Sequence, residues 1–147
     1  MSSLKYILDL FEKSADSLKV PYIKTTPKRL QHWAEKNKPP FIALIDLEES
    51  DSKIRNNYLV SFNLGFLCAV ASLKDPTDEV ITKEQVEADI LVKKFRRLID
   101  NDPKINTTAF ASSEVYRGGV YLGVGKGFTM TLEMADLNDY CGIDCDG

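Results

Sequence analysis

The chain has 147 residues, of which 44% are hydrophobic and 28% are charged, and its formal net charge is −3. This length and composition predict one globular domain that buries about two-thirds of its unfolded surface. The slight negative charge argues against wholesale nucleic-acid binding. No apolar run approaches the roughly 18 residues that cross a membrane, and the acid-containing start is not typical of a signal peptide. Three cysteines make no disulfide framework and favour a reducing compartment.

Two helices are predicted near the start of the chain. The first is capped by Ser2 or Ser3 and ends at Pro21. Its apolar residues share one helical face: Leu4, Ile7, Leu8, Phe11, Ala15 and Leu18. The second helix has Thr26 as its cap and Pro27 at its first position, where the missing N–H costs nothing. Its predicted inner stripe is Leu30, Trp33 and Ala34.

Two strands are predicted next, separated by a polar stretch. Phe41–Leu47 is a short apolar run, and residues 48–56 are predicted to form a turn or mobile loop. Residues 57–71 then alternate between apolar and smaller or polar side chains, which predicts a long central strand. Its core-facing residues are predicted to be Tyr58, Val60, Phe62, Leu64, Phe66 and Cys68.

A long amphipathic helix follows. Thr82 and Gln85 have the spacing of a capping box. The predicted buried face repeats in steps of three and four: Ala88, Leu91, Val92, Phe95, Leu98 and Ile99. After this helix we predict a strand at 105–116, a turn at Gly118-Gly119 and strand segments at 121–124 and 128–134.

This order of elements predicts an α+β fold. We expect a mostly antiparallel sheet of four to five strands, covered by the long amphipathic helix and preceded by the N-terminal helices. The whole chain, 1–147, is predicted to be a single domain. It divides into an N-terminal helical part (1–40), a core of sheet plus helix (41–136) and a polar tail (137–147).

The candidate reaction centres are incomplete. Residues 123–127 resemble a phosphate loop, but the first glycine and the Ser or Thr after the lysine are missing, so a glycine-rich hairpin bend is predicted instead. His32 has no evident metal or catalytic partner. Cys141 and Cys145 are two zinc ligands short of a site. We therefore expect no catalytic residue, no metal and no cofactor.

The acids Asp46, Glu48, Glu49 and Asp51 lack the glycine and spacing of a calcium loop, and they are predicted to lie in a solvated turn. A solvated turn does not concentrate charge on a fixed surface. These acids therefore add no metal or acid–base site to the prediction.

Two groups of residues are candidates for a subunit or partner interface. Lys93, Lys94, Arg96 and Arg97 are predicted on the outer side of the long helix, where they suit its dipole and could contact an acidic surface. No aromatic residues interleave with these bases, so nucleic acid is not expected as a partner. Ser61 and Asn63 lie on the small, polar second face of the central strand.

The predicted layout resembles the tail-terminator or tail-completion proteins of tailed bacteriophages and the related neck-ring proteins. The resemblance covers roughly Phe41 to Cys141. It rests on the strand Tyr58–Phe66, the helix ending Lys94–Asp100, a loop around Asn106 and the last strand Gly127–Met134.

The resemblance implies a structural virion protein without catalysis. Members of that family form rings, commonly hexameric, that cap or join the tail tube. The expected partners are copies of this chain and other tail or neck proteins, with no membrane. The expected location is the neck or tail of the virion, after assembly in the cytoplasm of the bacterial host. A cytoplasmic protein-binding module and, less favoured, a small enzyme remain the alternatives.

Overall fold

The computed structural model describes residues 2–37, 39–55, 57–71, 77–118 and 121–137. Within these residues there are three helices and five strands. In chain order they are α1 (Ser3–Ser17), β1 (Tyr22–Lys24), α2 (Pro27–Lys36), β2 (Phe41–Ile54), β3 (Asn57–Ala71), α3 (Asp78–Asp100), β4 (Asn106–Gly118) and β5 (Tyr121–Ala135).

The five strands form one sheet in the order β1-β2-β3-β5-β4. The short strand β1 is parallel to β2, and all other pairs are antiparallel. β3 lies in the middle, paired along its length with β2 on one side and β5 on the other. The predicted α+β fold, with its mostly antiparallel sheet around the central strand, is confirmed.

Helices α1 and α3 cover one face of the sheet and make the main core. Four phenylalanines meet there, one from each of α1, β3, α3 and β5: Phe11, Phe66, Phe95 and Phe128. The rings of Phe66 and Phe128 are stacked with centroids 4.8 Å apart, and Phe11 meets Phe66 edge-on at 5.2 Å. The predicted inner faces of β3 and α3 are confirmed, except that Tyr58 at the start of β3 is 43% exposed and that Leu91 and Leu98 of α3 are only partly buried.

Helix α2 covers one corner of the opposite face. Leu30 is fully buried there against Phe41 and Leu67, and Trp33 meets Phe41 edge-on at 5.0 Å. The predicted start of this helix is confirmed, because the hydroxyl of Thr26 accepts from the backbone N–H of Arg29 at 3.4 Å. The rest of this face carries small and polar side chains, and we call it the open face.

Two predicted turns are strands. Residues 48–54 continue β2, because each of them pairs with a residue of β3. Residues 123–127 lie inside β5 between β3 and β4. Both predictions were wrong because backbone pairing with a neighbouring strand, β3 for residues 48–54 and both β3 and β4 for residues 123–127, is open to any residue type, including glycine and acids.

The predicted helix ends need correction as well. α3 is capped by Thr77, whose hydroxyl accepts from Val80 N–H at 3.3 Å, and not by Thr82, whose hydroxyl donates to the carbonyl of Asp78 one turn earlier. α1 ends at Ser17, before Pro21, because Lys19 adopts a positive φ of 57° that closes the helix. Sequence reasoning also missed β1, which is only three residues long.

The polar tail beyond residue 137, with Cys141 and Cys145, lies outside the described residues. The connection at 72–76 and residue Gly119 of the predicted turn also lie outside them.

The core assignment predicts the effect of truncating Phe95, which is fully buried among three aromatic rings. Phe95→Ala should lower the free energy of unfolding by about 3–5 kcal/mol, as large-to-small core changes do. Val80→Ala, at a 39% exposed position of the same helix, is the matched control and should change it by less than about 0.5 kcal/mol. Urea unfolding measures both; a loss below about 1 kcal/mol for Phe95→Ala would contradict the assignment.

The two strands β3 and β5 approach closely at Gly125. A Cβ atom at this position would overlap the carbonyl oxygen of Cys68, which belongs to the backbone and cannot move without disturbing the sheet. At Gly65 a Cβ would meet only the side chain of Asp46, 3.1 Å away, which can shift. Gly125→Ala should therefore lower the melting temperature clearly more than Gly65→Ala. Equal losses in thermal unfolding would mean that the close approach is absent in solution.

Candidate subunit interface

The outer side of α3 is basic, as predicted. Lys93, Lys94 and Arg97 are exposed. Arg96 is only half-exposed, because its guanidinium lies 4.4 Å from the ring centre of Phe110 on β4 and its Nε is 3.5 Å from a carboxylate oxygen of Asp100. Three of the four predicted interface bases are thus presented to solvent, whereas Arg96 attaches the end of α3 to β4.

Two exposed apolar residues lie on the outer side of α3 just before these bases. Val86 and Ile90 are 54% and 45% exposed, and they are one helical turn apart on the side of α3 opposite its buried face. Large apolar side chains surrounded by charges are the usual composition of the centre and rim of a protein–protein interface. Val86 and Ile90 were not singled out from the sequence, although their spacing of four residues on a predicted helix could have indicated a shared face.

An ion pair holds the middle of α3 against the sheet. The Nζ of Lys126, on β5, donates to a carboxylate oxygen of Asp89, and the other oxygen of that carboxylate is 2.8 Å from the Nζ of Lys93. The hydrogen bond from Lys126, followed by that from Lys93, lowers the pKa of Asp89. Lys126, the lysine of the rejected phosphate loop, is therefore a structural partner of α3.

The four acids predicted in a solvated turn are on the outer half of β2. β1 pairs only with Ile42, Ala43 and Leu44, so beyond Leu44 the outer edge of β2 carries no strand among the described residues. All four acids on this edge are exposed: Asp46, Glu48, Glu49 and Asp51. The loop prediction was wrong, and the acids form a fixed acidic margin of the sheet.

The opposite margin is β4, and its first eight residues, 106–113, contain no charged side chain and no proline. Natural proteins usually place lysine, proline or a bulge on such an edge to prevent pairing with another chain. One bulge, between Thr107 and Ala109, interrupts this edge, and the side chains of Ala109, Ala111 and Ser113 are exposed beyond it. β4 is therefore the less protected margin of the sheet.

Ser61 and Asn63 lie on the open face, as predicted. Asn63 is exposed and its side-chain oxygen accepts from the hydroxyl of Thr131 on β5 at 2.9 Å. They line the open face opposite to α3, because their neighbours Val60 and Phe62 face the main core. The structure thus places the two predicted interface groups on opposite faces of the sheet and does not bring them together.

The described residues give little material for catalysis. Burial raises the pKa of the Cys68 thiol to about 12, so it is protonated at neutral pH and a poor nucleophile. His32 is exposed on α2. In the described ranges, no three His, Cys, Asp or Glu side chains are grouped so that they could hold a metal ion.

The described helices include none that is both long enough and apolar enough to span a membrane.

The chain matches no protein-family model, and no curated protein matches it significantly.

The ion pair of Asp89 predicts a pH-dependent contribution to stability. The pKa of Asp89 is lower in the folded state than in the unfolded state. The stabilisation of the fold by this ion pair is therefore complete above the unfolded pKa, near 3.8, and is lost as the pH falls through the lower folded pKa. Asp89→Asn should cost about 1–2 kcal/mol at pH 7, since Lys126 is only 11% exposed. The cost should shrink toward zero in strong acid.

Asp9→Asn is the matched control for this measurement. Asp9 also pairs with a lysine four residues away, at 2.9 Å, but both side chains are more than half exposed. Its loss should cost less than about 0.5 kcal/mol at any pH. Urea unfolding at pH 7, 5 and 2.5 compares the two variants; an Asp89→Asn cost that does not change with pH would contradict the linkage.

Proposed function

We propose that this chain is a structural, non-catalytic subunit that packs beside copies of itself in a ring at the neck or tail end of a tailed bacteriophage. In this role it is a tail terminator, a tail-completion protein or a head–tail adaptor, assembled in the host cytoplasm and retained in the virion. Its partners are its own copies and adjoining tail or neck proteins. The resemblance supplies the virion context, and the geometry of the two sheet margins supports the self-association.

The observation that carries the proposal is the difference between those margins. On one side the free half of β2 is acidic, and on the other the first eight residues of the edge strand β4 are uncharged, next to α3 with its basic outer face, which packs on β5, β3 and β4. Arg96 fixes this relation, because it connects α3 to Phe110 of β4. One copy can therefore present its acidic margin to the basic margin of the next copy.

Such a contact joins unlike surfaces, and this determines the kind of assembly. Like surfaces related by a two-fold axis close into a dimer, whereas unlike surfaces continue from copy to copy. They close into a ring when the rotation between neighbours divides a full circle. A continuous sheet braced by two helices keeps that rotation constant.

The energy of the contact is expected to come from apolar groups. Charge pairs at a partly wet rim fix orientation and raise the encounter rate more than they raise affinity. Val86 and Ile90 supply exposed apolar surface on the outer side of α3, next to its basic end. The bases around them orient the neighbour, and the apolar pair is the candidate anchor.

Charge reversal tests this contact. The triple variant Lys93→Glu, Lys94→Glu, Arg97→Glu should shift the assembled wild type toward monomer, because the acidic margin of the neighbour would then face like charge. Arg96 is left unchanged, since it packs on Phe110. Light scattering after gel filtration measures the assembly, negative-stain images count the subunits, and circular dichroism checks that the monomer remains folded.

A second variant supplies the complementary half of the test. Asp46→Lys, Glu48→Lys, Glu49→Lys and Asp51→Lys reverse the acidic margin; alone, this variant should also be monomeric. Mixed with the Lys93/Lys94/Arg97 variant, it should restore mixed assemblies. A wild type that stays monomeric at high concentration and binds no tail or neck component would overturn the ring, and a protein-binding module would replace it.

A further inference from the structure

A second basic surface lies far from α3, in an open groove between β1 and α2. The groove has a volume of about 930 Å³. Its charged and aromatic lining is Lys24, Lys28, Arg29, His32, Trp33 and Lys36. None of the described residues that line it is acidic. Because the whole chain has a net charge of −3, the positive charge of this groove differs in sign from the average charge of the protein.

The bases follow one side of α2. Lys28, His32 and Lys36 recur every four residues, so they share one helical face, and Lys24 reaches the groove from β1. From the first to the last of the three, the helix advances about 12 Å at roughly 1.5 Å per residue. Successive phosphates of an extended single strand are roughly 6 Å apart, about twice their spacing along a duplex axis, so the row matches about three phosphates.

Trp33 lies beside this row, toward the side of α2 that packs on the sheet, and is held in place. It is half-buried, and its ring meets the ring of Phe41 edge-on at 5.0 Å. A basic groove that also presents a fixed aromatic ring is the arrangement that binds single strands, because phosphates meet the bases and a nucleobase stacks on the ring. The outer face of α3 differs, since Arg96 covers the nearby ring of Phe110.

We propose that the groove between β1 and α2 binds single-stranded nucleic acid, with Lys24, Lys28, Arg29 and Lys36 on its phosphates and Trp33 against a base. The length of the row favours a strand over a small phosphate compound, and the tryptophan favours nucleic acid over an acidic peptide. The expectation of no nucleic-acid partner considered the net charge and the bases of α3, and neither describes this local groove. The groove lies on the other face of the sheet and does not depend on self-association.

The chain provides its own reporter for the test, since Trp33 is its only tryptophan. Titration with a twelve-nucleotide deoxythymidine strand at 50 mM salt should quench the tryptophan fluorescence. With three phosphate contacts, the association constant should fall by about twentyfold between 50 and 200 mM salt. A duplex of the same length should bind more weakly and quench less, because its bases are not free to stack.

Two triple variants with the same change of charge identify the surface. Lys28→Gln, Arg29→Gln, Lys36→Gln should weaken binding by at least about tenfold and flatten the salt dependence. Lys93→Gln, Lys94→Gln, Arg97→Gln, on α3, should weaken it by less than about threefold. Circular dichroism and thermal unfolding verify that both variants are folded.

Three results would overturn the proposal. The first is the absence of fluorescence quenching in the wild type at 50 mM salt. The second is an equal loss of binding in the two triple variants, which would show an unspecific effect of net charge. The third is binding of polyglutamate as tight as that of the deoxythymidine strand, which would assign the groove to an acidic protein surface.

Discussion

The position of Phe66 in the main core is the constraint on which the rest of the structure depends. Its ring stacks on Phe128 and meets Phe11 and Phe95 edge-on, so one side chain of the central strand contacts β5, α1 and α3. Such offset and edge-on pairs add about 0.5–1.5 kcal/mol each beyond the burial of their area. They fix both helices relative to the sheet, and every exposed surface follows from that arrangement.

The polar contacts around this core orient the elements. The Lys126–Asp89 pair connects β5 to the middle of α3, the hydroxyl of Tyr6 donates to a carboxylate oxygen of Asp102 at 2.7 Å, and Ser3 donates to Asp136 at 3.2 Å. Each contact joins residues that are distant in the sequence and close in space. Together they prevent α1 and α3 from sliding along the sheet. A subunit of a repeating assembly needs such fixed positions if it is to present the same margins in every copy.

Segregation of charge is the property that connects the two proposals. The small net charge of −3 is the sum of separate charged surfaces, which include an acidic margin on β2, a basic face on α3 and a basic groove beside α2. The first lies at one margin of the sheet, and the second is on the helix that contacts the edge strand β4 at the other margin, which suits the proposed contact between successive copies. The groove lies on the other face and carries an aromatic ring, which suits the proposed nucleic-acid strand. In the two proposals, the sheet separates a protein-facing surface from a nucleic-acid-facing one.

The sequence by itself determined the elements with strong local periodicity. Val60 to Cys68 alternate at every second residue, and Ala88 to Ile99 repeat at helical spacing, so the core faces of β3 and α3 could be predicted from the pattern alone. The start of α2 was equally local, because Thr26 and Pro27 act on the next turn only. The outer position of the α3 bases followed from the same helical periodicity.

Only the tertiary structure decided the secondary structure of segments whose own residues favour neither helix nor strand. Glu48 to Ile54 and Gly123 to Gly127 are strands because neighbouring strands pair with their backbones, and pairing across the sheet leaves no trace in a local pattern. The acidic margin and the basic groove depend on this pairing as well. Lys24 joins the row on α2 only because β1 pairs with β2 and brings two separate segments to one groove.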